Sequence, residues 1–256
     1  MKKSILWIII GMCMMIGAGA LIRYRQAAAS ATMLVTQDAV NSQTTEGIQK
    51  EIAITFDDGP KRGTTDVLLD GLKERNVSAT FFLIGMQVSG LEDLVQRMDE
   101  EGHQIGNHTF SHVNLNTLNE YEQNEEITMC SQNIRQCIDR EQVCVRPPYG
   151  EVNECLRAWI GAPLILWSVD TNDWTGKTAD EIADYIVSEA KEGDIILLHD
   201  IYENSVQGAL MAIDRMQAQG YVFVTVEKMF ADHGIPLENG KVYRKILNCK
   251  DQSSIL

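Results

Sequence analysis

From residue 51 to about 230, short apolar runs alternate with longer amphipathic stretches. The short runs are 51–56, 79–84, 104–107, 143–146, 164–168, 194–198 and 221–224. Their apolar, mostly β-branched and aromatic make-up predicts seven strands. Between them lie 64–75, 91–101, 118–138, 151–159, 178–191 and 205–219. Several carry apolar residues three and four apart, such as Val67, Leu68, Gly71 and Leu72, which predicts helices. Thr178-Ala179-Asp180-Glu181 has the form of a capping box. Gly102 and Gly220 stand where helices should end, just before strands. Strands alternating with helices imply an α/β fold with a parallel sheet. About 200 residues suit a small β/α barrel, with an open doubly wound sheet as the competing arrangement.

The amino terminus breaks this pattern. Lys2 and Lys3 precede an uncharged run over 4–22, and Arg23 and Arg25 follow it. A basic start before an apolar run reads as an export signal, and this run is long enough to span a bilayer, which takes roughly 17–25 residues. Residues 1–25 are expected to be a signal-anchor, or a signal peptide cut near Ala18-Gly19-Ala20 or within 27–31. Small and polar residues over 26–49 predict a flexible stalk. The folded domain is expected over 50–232, with a C-terminal extension over 233–256. The expected location is extracytoplasmic: held by a single membrane helix if the segment stays, secreted if it is cut.

Composition narrows the function. The 256 residues are 45% hydrophobic and 23% charged, as in a globular protein. The net charge is −14, although four of the 22 basic residues and none of the 36 acidic ones lie in the first 25 positions. Such an acidic domain excludes nucleic acid as a partner, because its binders neutralise phosphates with Lys and Arg. It also argues against electrostatic docking on an anionic membrane surface. The six cysteines are Cys13, Cys130, Cys137, Cys144, Cys155 and Cys249, with no CxxC pair. Cys130 and Cys137 would sit ~10.5 Å apart along a helix, too far to bridge. The cysteines are expected to act mostly as small buried apolar residues.

The chemistry-bearing residues fall just after strand ends, which is where α/β folds place their sites. Thr55-Phe56-Asp57-Asp58-Gly59-Pro60 ends the first strand with two carboxylates. Adjacent strand residues point to opposite faces, so one acid can ligate a metal while the other serves as a base. His108-Thr109-Phe110-Ser111-His112 carries two histidines four apart, which share one side of a helix and can reach one ion. Asp58 would supply a third ligand. Arg146-Pro147-Pro148-Tyr149-Gly150 forms a rigid turn in which Tyr149 is the first residue with an N–H to aim at an oxyanion. Trp167-Ser168-Val169-Asp170-Thr171-Asn172-Asp173-Trp174 follows an apolar strand with acids and an aromatic. Ile195-Ile196-Leu197-Leu198-His199-Asp200 ends a buried strand with a candidate general acid. His103 and His233 match no cluster and are expected to be structural or exposed. Asn107-His108-Thr109 fits a glycosylation sequon, which is discounted because a glycan would block the histidine site.

These five clusters, in this order, resemble the polysaccharide deacetylases of the NodB-homology type, carbohydrate esterase family 4. The resemblance spans about residues 50–230. It implies a distorted (β/α)7 barrel and a divalent metal, most often Zn²⁺, with Co²⁺, Ni²⁺ or Mn²⁺ in some members. It implies Asp57 as general base, Asp58, His108 and His112 as metal ligands, and Arg146 as the residue orienting the base. It implies a Tyr149 N–H on the oxyanion, His199 as general acid and Asp173 as its orienting carboxylate. Trp174 and Leu197 would wall the pocket for the acetyl methyl group. The implied reaction is hydrolytic N-deacetylation of N-acetylglucosamine units in a cell-wall polysaccharide, with peptidoglycan favoured by the anchor and stalk. Chitooligosaccharide or another N- or O-acetylated glycan is the alternative substrate. A sugar-binding module without turnover is the alternative of a different class.

Overall fold

A computed structural model describes residues 49–139 and 144–247. The expected signal-anchor and all of the expected stalk but Gln49 lie outside the described residues, and one compact unit begins at Gln49. Among the described residues, no helix is long and apolar enough to cross a membrane.

The central strand is β1 (Lys50–Asp57), buried from Glu51 onward. It is nearly continuous in apolar character because both faces are covered. Parallel β2 (Thr80–Leu83) and β7 (Tyr221–Phe223) pair with the two ends of one edge, and β6 (Ile195–His199) pairs along the other. With β3 (Gln104–Asn107) and β5 (Val169–Asp170) the order is β3-β2-β1-β6-β5. β4 (Leu164–Ile165) pairs instead with β8 (Val242–Tyr243). The sheet is therefore parallel, as expected, but open rather than a closed seven-stranded barrel. Of the expected strand over 143–146, residue 143 lies outside the described residues, and the rest forms isolated bridges from Val145 to Asn107 and to Leu164. Pro147 and Pro148 follow that stretch and Pro163 lies across from it, accepting from the Val145 N–H, and proline cannot donate to a ladder. Within the expected extension, β8 joins β4 and Ile246 is buried, while residues 248–256 lie outside the described residues.

The helices are α1 (Thr65–Glu74), α2 (Gly85–Val88), α3 (Glu92–Glu100), α4 (Glu120–Arg135), α5 (Glu154–Trp159), α6 (Ala179–Glu189), α7 (Glu203–Gln217) and α8 (Val226–Asp232). The capping box at Thr178 and Glu181 forms, as do the positive-φ turns at Gly102 and Gly220. α7 lies close against α6 because a Cβ on Gly208 would meet Ile182 at 2.8 Å.

The pleat of β1 separates two jobs. Ile52, Ile54 and Phe56 enter the main core with Leu68, Ile182 and Val206. Ala53 enters a second core with Phe82, Ile165 and Ile195. Alternation then puts Thr55 and Asp57 on the Ala53 face. Register aligns Ala53, Thr55 and Asp57 with Ile195, Leu197 and His199 of β6. Apolar packing at the start of these strands thus grades into polar groups at their ends.

Candidate active site

Asp57 is held by a buried cation. Arg146 Nη1 donates to Asp57 Oδ1 (2.7 Å) and Thr55 Oγ1 (2.8 Å). Its Nε and Nη2 donate to the carbonyls of Ile165 (3.0 Å) and Leu166 (3.1 Å). The guanidinium lies 4.0 Å from the centre of the Phe82 ring. A fully buried arginine is tolerated only when its donors are so engaged. Burial raises the Asp57 pKa above the usual carboxylate value, while Arg146 and His199 act against that rise.

Asp58 does not point away from Asp57, as a continuing strand would require. Its left-handed φ of 74° turns the chain, and both carboxylates line one cavity. The two histidines likewise sit on a loop after β3, not on a helix. Thr109 and His112 have φ of 67° and 60°. Internal bonds brace the loop: Thr109 N–H donates to Asn107 Oδ1 (2.8 Å) and His112 N–H to Thr109 Oγ1 (3.0 Å). Glu126 of α4 accepts from the N–H groups of Phe110 (2.9 Å) and Ser111 (2.8 Å). Glu126 stands in none of the sequence clusters, so no local motif marks this buttress. Asn107 is buried and its amide donates to Ile127 O, so the sequon is indeed unavailable.

One ligand atom from each of Asp58, His108 and His112 lies within 4.8 Å of the others. His108 Nδ1 meets the carbonyl of Arg146 at 2.6 Å. A carbonyl only accepts, so Nδ1 carries the proton and Nε2 presents a lone pair. That lone pair and His112 Nε2 stand 3.5 and 3.3 Å from Asp58 Oδ1. Asp58 Oδ1 is buried without a hydrogen-bond partner. Burial lowers the His108 pKa to about 3, so the ring is neutral at ordinary pH. Electron pairs converging on an unsatisfied carboxylate oxygen fit a divalent cation.

His199 faces them from β6. Its Nδ1 is 2.8 Å from Asp173 Oδ1, and its N–H donates to Asp173 Oδ2 at 2.8 Å. Burial opposes a charge on the ring, but the Asp173 hydrogen bond and charge, with Asp57 and Asp58, raise its pKa to about 9. Burial alone would raise Asp173, and the His199 bonds reverse that and lower it.

A cavity of about 470 Å³ joins these groups. Asp57, Asp58, His108, His112, Tyr149 and His199 line it, as do Trp174 and Leu197. Arg146 and Asp173 stand behind the wall. Tyr149 has a left-handed φ of 63°, and its exposed ring packs edge-on against His112 with centres 4.9 Å apart. Trp167 and Tyr202 also line the cavity, and neither had been singled out as a site residue. Trp167 lay in a noted cluster, whereas Tyr202 had no motif to mark it. His103 and His233 are structural: Ala79 N–H donates to His103 Nδ1 (3.0 Å), and His233 Nδ1 meets Met229 O (2.8 Å). Cys130, Cys137, Cys144 and Cys155 are free, with Cys130 and Cys144 buried as expected; Cys13 and Cys249 lie outside the described residues.

Comparison with known proteins follows the same lines. The polysaccharide deacetylase family model matches residues 44–160. Peptidoglycan-N-acetylglucosamine deacetylase PgdA of Listeria monocytogenes is 38% identical over 194 residues, covering 76% of this chain. The chain spans only 41% of the length of that relative. A peptidoglycan-N-acetylglucosamine deacetylase of Bacillus cereus is 38% identical over 187 residues, covering 70% of this chain and 68% of that one. The chain belongs to the polysaccharide deacetylase family. A family 4 acetyl xylan esterase from Clostridium thermocellum, solved in complex with a cobalt ion, superposes with a TM-score of 0.74 at 28% identity, covering 77% of this chain and all of that one. The polysaccharide deacetylase match itself includes Asp57, Asp58, His108, His112, Arg146 and Tyr149. Asp173, Trp174, Leu197 and His199 come later in the chain and join the site through β5 and β6.

Proposed function

We propose that the chain hydrolyses the acetamide of N-acetylglucosamine units in a cell-wall polysaccharide, peptidoglycan foremost, outside the cytoplasm. Residues 1–25 and 26–49 would serve as export segment and stalk for the domain. One observation carries the reading. Asp57 and His199 are register partners on adjacent strands, and both face the cavity that the Asp58, His108 and His112 set lines. An acid–base pair and a metal-ligand set then address one bound carbonyl. Relatives described as peptidoglycan deacetylases support the substrate class.

Asp58, His108 and His112 would hold the divalent ion, Zn²⁺ or a similar metal. When bound it supplies Lewis-acid polarisation of the acetyl carbonyl and acidifies water. Asp57 takes a proton from the attacking water as its oxygen adds to the acetyl carbon. Arg146 fixes the direction of that carboxylate, and burial keeps it basic enough for the task. The Tyr149 N–H donates to the developing oxyanion. His199 delivers its Nε2 proton to the sugar nitrogen as the carbon–nitrogen bond breaks, leaving acetate and a free amine. Asp173 holds Nδ1 so that Nε2 faces the reaction and stays protonated at neutral pH. Trp174 and Leu197 exclude water around the acetyl methyl.

The test is acetate release from N-acetylglucosamine oligomers, peptidoglycan and O-acetylated xylan, with added Zn²⁺ or Co²⁺ and with chelator. The reading expects metal-dependent release, greatest on N-acetylated glycans. Release from the xylan ester alone would reassign the substrate. No release from any glycan with metal bound would leave a sugar-binding module.

A further inference from the structure

Asp200 follows His199, yet its side chain belongs to another structure. It is fully buried, and Thr65 Oγ1 donates to its Oδ2. Its Oδ1 is buried without a hydrogen-bond partner. The carboxyl group packs directly on the backbone of Gly59, where a Cβ would collide with it. Gly59 is the residue after Asp58. The same Thr65 Oγ1 accepts from the Lys61 N–H at 2.8 Å, and Lys61 Nζ donates to Ile201 O at 2.7 Å. The Gly59 carbonyl accepts from the Ile84 N–H at 3.1 Å. The turn from 58 to 65 is thus pinned from the end of β2, from the first turn of α1 and from the end of β6.

This pinning has a task. Asp58 sits at φ 74°, a conformation a non-glycine residue keeps only when its surroundings over-determine it. Relaxation of Asp58 to an ordinary φ would swing its carboxylate away from His108 and His112. We infer that Asp200 is a positioning residue: by packing against Gly59 and accepting from Thr65, it holds Asp58 in the left-handed geometry that aims its carboxylate at the two histidines. The role needs shape and one acceptor, not a negative charge. Burial raises the Asp200 pKa to about 7, which agrees with a site that does not call for an anion. The inference rests on the proposed reading of Asp58 as a metal ligand.

The experiment measures Co²⁺ binding to the full chain by calorimetry and by visible absorption of the bound ion, with no substrate present. Asp200→Ala is expected to weaken Co²⁺ binding ~10- to 100-fold, the usual effect of losing a group that orients a ligand. It is also expected to change the absorption band, since one ligand is re-aimed. Asp200→Asn keeps the shape and an acceptor and is expected to bind within ~3-fold of the parent, well short of that loss. Thr65→Val removes the anchoring donor without shortening the side chain, and is expected to weaken binding in the direction of Asp200→Ala. It serves as the readout if Asp200→Ala does not fold. Lower melting temperature in Asp200→Ala and Thr65→Val, with parental Co²⁺ affinity and band, would overturn the inference and leave Asp200 a packing residue. A parent chain that binds no Co²⁺ would instead overturn the metal reading of Asp58, His108 and His112.

Discussion

Replacing Asp173 by Asn isolates the pair that tunes the proposed acid. Asn keeps the size of the side chain but removes its charge. In the parent the ring of His199 titrates at about 9, against an ordinary 6.5, because Asp173 outweighs the cost of burial. Without that charge, burial acts against only the more distant Asp57 and Asp58, and the His199 pKa is expected to fall to 6.5 or below. At 1.36 kcal/mol per decade, the difference is roughly 3 kcal/mol. The pair also stabilises the fold, with a definite sign. His199 has a raised folded value, so its contribution is complete below pH 6.5 and disappears as pH rises through about 9. Asp173 has a lowered folded value, so its contribution is present above its ordinary 3.8 and is lost as pH falls through the lower folded value. The parent should therefore lose stability between pH 6.5 and 9, and Asp173→Asn should show little of that slope. The assays are ring-proton NMR titration of the metal-free protein, assigned with His199→Ala, and urea unfolding across the same pH range. A His199 that still titrates near 9 in Asp173→Asn, or a stability gap constant across that range, would refute the reasoning.

Three further outcomes follow from the geometry. Arg146→Met leaves Asp57 buried without its cation and should cost ~3–5 kcal/mol in urea unfolding; the Arg146→Met, Asp57→Asn double variant should recover part of that loss. Glu126→Ala removes the acceptor of the Phe110 and Ser111 N–H groups, so both amides should exchange faster in deuterated buffer and Co²⁺ affinity should fall ~10-fold or more. In the native chain a thiol reagent should label exposed Cys155 and spare Cys130 and Cys144, whose thiols burial pushes up to about 12; peptide mapping that finds Cys130 labelled as fast as Cys155 would contradict the packing.

What the sequence made legible depended on the range of the interactions involved. Strand runs such as 51–56 and 194–198 are dense in apolar residues because both faces are covered, and they emerge within a residue or two of their observed limits. The capping box at Thr178 is a four-residue signal and is equally readable. Asp57, Asp58, His108, His112, Arg146 and His199 were nameable because each lies at a strand end in a short motif. How they converge was not nameable. A left-handed Asp58 is imposed by Gly59, Thr65 and Asp200, the last of them more than a hundred positions away in sequence. The histidine loop imitates helical spacing, yet it is shaped by Asn107 and by Glu126 of α4. The shortfall from a closed barrel has a similar origin. Prolines beside Val145 reduce an apolar run to single bridges, and β4 finds a partner in β8, which the sequence pattern did not announce.

The central claim is hydrolysis by Asp57 beside a metal held by Asp58, His108 and His112. Its most direct test is acetate release from N-acetylglucosamine oligomers by the parent chain and by Asp57→Asn, each loaded with Co²⁺ to the same measured occupancy. The account predicts acetate release by the parent, with Asp57→Asn slower by ~10²- to 10⁴-fold, the usual contribution of a general base. Equal rates at equal occupancy, or no acetate from a fully loaded parent, would contradict it.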